Sequence, residues 1–204
     1  MGISAVVFDY GKVICFPPAE GFEERLAAIA GIQALDLAEI MWKHREEYDR
    51  GTIDGKEYYR TMLESKNIHP DDKTLEKIVQ TDLDNWKNIN PGTEKLMDDV
   101  KKAGLKLGIL SNMPHDFLKF ARDHFPVFSL PQVGIFSCEY RSIKPEKKIY
   151  EILLEALDCP AGEVVFFDDM ESNVQAAKDL GLRALLWKDP ESARQELRNL
   201  GVPV

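Results

Sequence analysis

The chain has 204 residues, of which 44% are hydrophobic and 30% are charged, a composition typical of one globular domain and not of disordered or fibrous chains. The 35 Asp and Glu residues outnumber the 26 Lys and Arg residues and give a formal net charge of -9, which argues against nucleic acid as a partner. The sequence has no basic leader and no run of about 18 apolar residues, so we expect a cytoplasmic protein with no membrane partner.

The three cysteines, Cys15, Cys138 and Cys159, lie far apart in the sequence, and none of them belongs to a CxxC pair. An odd number of cysteines without close spacing predicts neither a disulfide framework nor a zinc site. We therefore expect free thiols and a reducing compartment.

Short apolar runs rich in branched residues predict strands that are buried on both faces. The predicted strands are residues 3–8, 105–110, 133–136, 164–167 and 183–187. From the second run onward they alternate with segments whose apolar residues recur at helical spacing, at 91–103, 145–157 and 189–200. This alternation predicts an α/β fold with a doubly wound, Rossmann-like parallel sheet of five strands.

The first two predicted strands are separated by roughly 70 residues, about 17–86, which is too long for a single crossover between parallel strands. This stretch contains several helical patterns and no convincing strand. We therefore predict a small all-helical insert at 17–86, and an α/β core formed by 1–16 and 87–204. One predicted helix of the insert, 36–49, carries on one face the residues Leu37, Ile40, Met41, His44 and Tyr48.

Polar residues follow four of the predicted strands at their carboxyl ends, the edge where parallel sheets bind ligands. In chain order they are Asp9, then Ser111 and Asn112, then Lys144 in the loop after the third strand, and finally Asp168, Asp169 and Asn173. Singly, such residues are helix caps or turn residues as often as they are site residues. The pair Asp168 and Asp169 is harder to explain in that way, because like charges after a buried strand repel each other unless a cation or a donor offsets them.

Four segments around these residues have a recognisable pattern. They are Val-Phe-Asp-Tyr-Gly-Lys-Val-Ile at 7–14, Leu-Ser-Asn at 110–112, Ile-Lys-Pro at 143–145 with Tyr150, and Val-Phe-Phe-Asp-Asp-Met-Glu-Ser-Asn-Val at 165–174. Their order and spacing closely resemble the four motifs of the haloacid dehalogenase superfamily. The resemblance covers the whole chain and is greatest to the branch that contains sugar-phosphate phosphatases and the phosphatase domain of soluble epoxide hydrolase, where a small helical cap occupies the position of the insert.

The resemblance implies a phosphatase in which Asp9 is the nucleophile and forms an aspartyl phosphate. It also implies roles for the other residues: Mg²⁺ bound by Asp9, the main-chain carbonyl of Gly11 and Asp169; a metal-bound water held by Asp168; phosphate bound by Ser111, Asn112 and Lys144; and orientation by Asn173. Lys144 is further expected to pair with Asp9 and keep it ionised. A divalent cation and fixed donors suit this reaction, because a carboxylate that attacks a phosphate ester must overcome repulsion between anions.

Gly11 departs from the pattern of most phosphatases of the superfamily, which have at this position a second Asp that acts as general acid and base. Related branches with Phe-Asp-Leu-Gly also have glycine here. Because such acid–base help is worth about 10² to 10⁴ in rate, we expect rates to depend steeply on leaving-group acidity, with sugar 1-phosphates and aryl phosphates favoured. His44, on the predicted inner face of the insert, is a candidate substitute, and a packed core histidine is the alternative.

Other residues near the predicted site have two interpretations each. Lys12 is either a surface lysine or additional electrostatic support for a phosphate. Several aromatic residues in or beside the insert form either a wall that faces the substrate or the packing of a small helical unit. They are Trp42, Tyr48, Tyr58, Tyr59 and Trp86.

Two alternative functions stay open at this point. A hydrolytic 2-haloacid dehalogenase has the same nucleophile, Ser-Asn pair and lysine, but a haloacid carries less negative charge than a phosphate and needs no Mg²⁺. The pair Asp168 and Asp169 therefore favours phosphoryl chemistry. The other alternative is a phosphate-binding or regulatory protein that retains the metal site but, with Gly11, has lost turnover. The insert has no motif that specifies a substrate, so the expected partner is a small phosphorylated metabolite.

Overall fold

Five parallel strands form one sheet in the computed structural model, which describes residues 2–204. They are β1 (Ala5–Phe8), β2 (Lys106–Ser111), β3 (Val133–Phe136), β4 (Val164–Asp168) and β5 (Arg183–Leu186). Their order across the sheet is β3-β2-β1-β4-β5, so the chain winds outward from β1 in both directions. The predicted doubly wound α/β fold is confirmed, and each predicted strand overlaps an observed one.

Eleven α-helices occur within the described residues. They are α1 (Phe22–Ala30), α2 (Ala34–Lys43), α3 (Arg45–Asp49), α4 (Gly55–Glu64), α5 (Asp72–Asn85), α6 (Pro91–Lys102), α7 (His115–His124), α8 (Ser137–Tyr140), α9 (Lys147–Leu157), α10 (Glu171–Asp179) and α11 (Pro190–Asn199). Within residues 2–204, every helix is too short or too polar to span a bilayer.

Several helices begin at a short polar residue whose side chain accepts a main-chain hydrogen bond from the first turn. Asn90 accepts from the N–H of Gly92 at 3.0 Å before α6, and Asp189 accepts from the N–H of Ser192 at 2.8 Å before α11. Each cap is followed by proline, whose missing N–H is tolerated in the first turn. These local signals explain why the helix starts were readable from the sequence.

Alternate residues of β1 point to opposite faces of the sheet. Val6 and Phe8 pack into one apolar cluster, whereas Ala5 and Val7 pack into another, and all four side chains are fully buried. Helices cover both faces, as is usual for parallel sheets. Polar side chains are accommodated where the chain leaves the strands, at their carboxyl ends.

The helices α1 to α5 lie between β1 and β2 and share an apolar cluster of their own. Buried aromatic and aliphatic side chains from all five helices form it, among them Phe22, Leu37, Tyr48, Tyr58 and Ile78. No strand occurs among residues 17–86, in agreement with the predicted helical insert. We call residues 17–86 the cap; the limits at 17 and 86 stay a prediction.

The single helix predicted for 36–49 is wrong, because the chain leaves the helical conformation at His44. The backbone of His44 has φ -108° and ψ 6°, and it separates α2 from α3. The break turns Arg45 inward, where its guanidinium pairs with Asp49 and Asp82. A helical apolar stripe cannot reveal this break, since Leu37 and Tyr48 are buried on either side of it.

Candidate active site

The strand register brings the predicted site residues to one edge of the sheet. Phe8 lies opposite Ile109 of β2 and Phe167 of β4. The N–H of Asp9 donates to the carbonyl of Phe167 at 2.9 Å, so Asp9 continues the ladder one residue beyond β1. Asp9 and the end of β4 are therefore held side by side by main-chain hydrogen bonds.

Lys144 lies between two carboxylates. Its Nζ is 2.7 Å from Oδ1 of Asp9 and 2.6 Å from Oδ2 of Asp168, and all three residues are at most 7% exposed. Burial acts to lower the pKa of Lys144, but the attraction of Asp168 and Asp9 raises it above its ordinary value. The lysine is therefore a permanent cation that links β1 to β4.

Asp9 is a carboxylate in a strongly desolvated position. Burial raises the pKa of Asp9 to about 7, with added repulsion from Asp168 and Asp169, and the opposing attraction of Lys144 is too small to cancel these effects. The expected pairing of Lys144 with Asp9 is present, but the attraction of Lys144 does not by itself hold the pKa of Asp9 at its ordinary value. A further positive charge beside these carboxylates would lower the pKa again.

Asp168 and Asp169 differ in what surrounds them. Oδ1 of Asp168 accepts from Nδ2 of Asn173 and from the N–H of Met170, both at 2.9 Å, while its Oδ2 is held by Lys144. Asp169 is 22% exposed at the side chain and lines the cavity described below. Asp168 thus anchors the lysine and Asn173, whereas Asp169 is accessible to a ligand.

The side chain of Asn112 grips the main chain of Lys144. Its Oδ1 accepts from the N–H of Lys144 at 2.7 Å, and its Nδ2 donates to the carbonyl of Lys144 at 3.0 Å. Asn112 therefore positions the lysine, which sequence reasoning had not assigned to it. Ser111 follows the same strand, is 2% exposed, and faces the cavity with its hydroxyl 3.4 Å from the carbonyl of Asn112.

A wide turn follows Asp9. Oδ1 of Asp9 accepts from the N–H of Tyr10 at 2.7 Å, and the N–H of Cys15 donates to the carbonyl of Tyr10, five residues back, at 3.0 Å. Lys12 has φ 59° in this turn, a left-handed conformation that is uncommon for a residue with a side chain. It brings Nζ of Lys12 within 3.4 Å of Oδ2 of Asp169, with half of the Lys12 side chain exposed.

A cavity of about 220 Å³ opens above these strand ends, between the core and the cap. The core contributes the polar groups already described, together with apolar side chains such as Phe117. The cap contributes Trp42, Arg45, Asp49, Leu83 and Trp86. A ligand in this cavity would therefore contact both the strand ends and the cap.

The structure separates the residues that the sequence suggested for the cap. Trp42 and Trp86 line the cavity, whereas Tyr48, Tyr58 and Tyr59 pack inside the cap. His44 is half-buried and is not among the residues that line the cavity. Sequence reasoning missed Arg45 and Asp49; the only signal was their spacing of four residues, which is also typical of a solvated ion pair on a helix surface.

Three acidic side chains converge at this edge of the sheet. One carboxylate oxygen from each of Asp9, Asp168 and Asp169 lies within 4.8 Å of the others. Carboxylate oxygens are hard donors of the kind that Mg²⁺ prefers. The donor set therefore fits a magnesium ion, with Asp9 and Asp169 as the two carboxylates that face the cavity.

The chain is similar to known proteins that include an epoxide hydrolase and a phosphatase. The bifunctional epoxide hydrolase 2 of Rattus norvegicus is 42% identical over 66 residues, which span 32% of this chain and only 12% of that protein. A phosphatase of Mycobacterium tuberculosis (strain CDC 1551 / Oshkosh) is 25% identical over 194 residues, which span 91% of this chain and 88% of the relative.

Solved structures show the same fold. A HAD family enzyme of Bacteroides thetaiotaomicron, solved in complex with magnesium and inorganic phosphate, has a TM-score of 0.74 and 21% identity, with 92% of this chain and 96% of that chain covered. An L-2-haloacid dehalogenase of Xanthobacter autotrophicus has a TM-score of 0.69 and 20% identity, with 96% and 82% covered. At these identities the likeness concerns the fold alone. The sequence itself is more specific: residues 3–181 match the family of haloacid dehalogenase-like hydrolases, and the chain belongs to that family.

Proposed function

We propose that this hydrolase is a Mg²⁺-dependent phosphatase that cleaves a small phosphate monoester through an aspartyl phosphate on Asp9. The observation that carries the proposal is the close approach of three carboxylates, Asp9, Asp168 and Asp169, with one cation, Lys144, buried among them in the described residues. A metal ion of charge two would offset the remaining negative charge. A phosphatase relative that spans most of the chain supports the same reaction.

Asp9 and Asp169 would hold the ion, with the main-chain carbonyl of Gly11 as a further ligand. When bound, Mg²⁺ offsets the negative charge of the phosphoryl group and lowers the repulsion against an incoming carboxylate. A HAD family structure with magnesium and inorganic phosphate supports this choice of metal and ligand.

The protein groups then have separate tasks. Asp9 attacks phosphorus in its ionised form, and the bond from phosphorus to the leaving oxygen breaks. Lys144, fixed by Asp168 at the ammonium and by Asn112 at the main chain, holds the attacking carboxylate in place and supplies positive charge to the phosphoryl oxygens. Ser111 faces the cavity as a neutral donor. Water then hydrolyses the aspartyl phosphate and restores Asp9.

The walls of the cavity favour one class of leaving group. The cavity is lined by Leu83 and by three aromatic side chains, those of Trp42, Trp86 and Phe117. Trp42 is 47% exposed, so it offers its indole to solvent or to a ligand. Of the two substrate classes expected from the sequence, sugar 1-phosphates and aryl phosphates, this wall matches aryl phosphates and other esters with a flat apolar face.

A 2-haloacid dehalogenase is the second candidate. The observation in its favour is that both oxygens of Asp168 are already engaged by Lys144, Asn173 and Met170. Such an arrangement needs no metal at Asp168, and the dehalogenase fold is shared. Asp169, which faces the cavity beside Asp9, is the residue that favours the phosphatase.

The test is a hydrolysis screen of the purified protein over aryl phosphates, sugar 1-phosphates and other phosphorylated metabolites, with Mg²⁺ and with EDTA. The Asp9→Asn protein, prepared in parallel, excludes a contaminating phosphatase. We expect phosphate release that needs both Mg²⁺ and Asp9. Halide release from 2-chloropropionate in EDTA would support the dehalogenase instead, and absence of both activities would favour a binding protein.

A further inference from the structure

We propose that Asp49 of the cap donates the proton to the leaving oxygen, a task that Gly11 cannot perform; this inference rests on the proposed phosphatase function. Asp49 is the last residue of α3 and lines the same cavity as Asp9. Three carboxylic acids line that cavity within the described residues: Asp9, Asp49 and Asp169. Asp9 is the nucleophile and Asp169 faces the proposed metal, so Asp49 remains for proton transfer.

One oxygen of Asp49 is held and the other is free. Oδ1 accepts from Nε of Arg45 at 2.9 Å. Within residues 2–204, Oδ2 has no hydrogen-bond partner, yet it is not among the fully buried unpaired atoms. The side chain is 16% exposed. An unpaired carboxyl oxygen on a partly exposed residue that lines the cavity is in a position to exchange a proton with a ligand there.

The hydroxyl of Ser137 connects Asp49 to the segment that carries the proposed phosphate-binding residues Ser111 and Asn112. Oγ of Ser137 accepts from the N–H of Met113 at 2.8 Å and donates to the main-chain carbonyl of Asp49 at 2.5 Å. Met113 directly follows Asn112, which positions Lys144. The main chain at Asp49 is therefore tied to the segment that carries Ser111 and Asn112, although Asp49 belongs to the cap.

The residue after Asp49 provides a second connection. Nη1 of Arg50 is 2.7 Å from Oε1 of Glu146, which lies two residues beyond Lys144. The N–H of Ile143 and the hydroxyl of Ser142 both donate to the other oxygen of Glu146, at 3.2 and 2.8 Å. The end of α3 is thus anchored to the loop that carries the catalytic lysine.

Arg45 is a positioning residue for Asp49. Its buried guanidinium also pairs with Asp82 at 3.1 Å and lies 4.9 Å from the ring centroid of Tyr48. Burial raises the pKa of Asp49 against the attraction of Arg45, and this favours the protonated acid. The titratable groups that interact with Asp49 are Arg45 of the same helix, Tyr58 of α4, Asp82 of α5, Cys138 of α8 and Lys144 of the loop before α9.

The proposed reaction has two steps, and Asp49 regains in the second step the proton that it donates in the first. In the first, Asp9 bonds to phosphorus, the leaving oxygen departs with its electron pair, and the carboxyl proton of Asp49 moves to that oxygen to form the alcohol. In the second, water attacks phosphorus and loses a proton to the Asp49 carboxylate. The bond between phosphorus and Asp9 breaks, inorganic phosphate leaves, and both acids return to their starting states.

The experiment compares two esters that differ in their need for a proton. p-Nitrophenol leaves readily as an anion, whereas an alkoxide such as propoxide does not. We expect Asp49→Asn to lower kcat/KM for propyl phosphate by about 100-fold or more, and for p-nitrophenyl phosphate by less than about fivefold. Asparagine keeps an acceptor for Arg45 and cannot transfer a proton. Glu46→Gln, which removes one exposed charge from the same helix outside the cavity, should change neither value.

A pH profile provides a readout that a structural role would not change. In the wild type, kcat/KM for propyl phosphate should fall at high pH as Asp49 loses its proton, and Asp49→Asn should lack this fall. Retained p-nitrophenyl phosphate turnover in the same sample shows that the variant is folded. Equal losses on both esters, or an unchanged pH profile, would overturn the role of Asp49. Absence of wild-type turnover, or turnover that survives Asp9→Asn, would instead overturn the phosphatase assignment.

Discussion

The indole of Trp86 lies beside Gly11: a Cβ built on Gly11 would be 3.6 Å from Cζ3 of Trp86. This is an ordinary contact distance, and Gly11 has φ -62° and ψ 125°, which residues with side chains adopt readily. A Cβ therefore fits beside the indole, and a longer side chain at position 11 would extend from a point already in contact with Trp86.

The first prediction follows from this contact and uses the Asp49→Asn background. Gly11→Asp should restore little turnover of propyl phosphate there, because we expect the indole of Trp86 to crowd the carboxyl group. Adding Trp86→Ala should restore it by about tenfold or more. The measurement is kcat/KM for propyl phosphate in the three proteins. If Gly11→Asp alone restored turnover in full, Trp86 would not obstruct position 11.

The second prediction concerns pH and the stability of the metal-free protein. Burial raises the pKa of Asp9 to about 7, from an ordinary value near 3.8. Asp9 therefore contributes fully to stability below its unfolded-state pKa, near 3.8. This contribution is lost as the pH rises to its folded-state pKa of about 7. We expect a loss on the order of 3 kcal/mol from Asp9 between pH 4 and pH 7.

Urea unfolding in EDTA at several pH values measures this loss. Asp9→Asn removes the titrating group, so the difference between wild type and variant isolates the effect of Asp9 from that of other carboxylates. Added Mg²⁺ should reduce the slope, since it favours the ionised form. If the stability of the wild type followed the same pH curve as that of Asp9→Asn, Asp9 would not have a raised pKa in the folded protein.

The third prediction separates the two adjacent acids. Asp169→Asn should weaken Mg²⁺ binding with little change in metal-free stability, because Asp169 is partly exposed and pairs with the half-exposed Lys12. Asp168→Asn should destabilise the protein by about 3–5 kcal/mol, because Lys144 loses a buried charge partner. Thermal unfolding with and without Mg²⁺ measures both effects. A reversed pattern would exchange the roles of the two acids.

The fourth prediction concerns the aromatic wall of the cap. Trp42→Ala should raise KM for aryl phosphates by about tenfold while leaving kcat nearly unchanged, because the lost contact involves the leaving group only. Acetyl phosphate, which is too small to reach the wall, should be unaffected. Leu35→Ala is the matched control, since Leu35 lies on the same helix with 88% exposure. A similar loss on both substrates would show that Trp42 supports the cap itself.

The strands of the core could be predicted from the sequence, because the signals that mark them are local. Strands buried on both faces are continuous apolar runs, and the residues just after them, such as Asp9 and Asp168, must lie at the carboxyl edge of a parallel sheet. The register of β1 with β4 then makes them neighbours. Neither step requires knowledge of side-chain conformations, so composition, periodicity and motif order were sufficient to predict the fold and the group of residues at this edge.

The cap side of the site was decided only by the tertiary structure. Whether His44 or the pair Arg45 and Asp49 faces the cavity depends on a break at His44, and that break accompanies a buried ion pair with Asp82, 37 residues beyond Arg45. The same holds for Asn112, whose amide bonds to the main chain of Lys144 across 32 residues. Charged and amide side chains have no periodic signature, because their positions are set by partners distant in the sequence, and those partners meet only when the chain has folded.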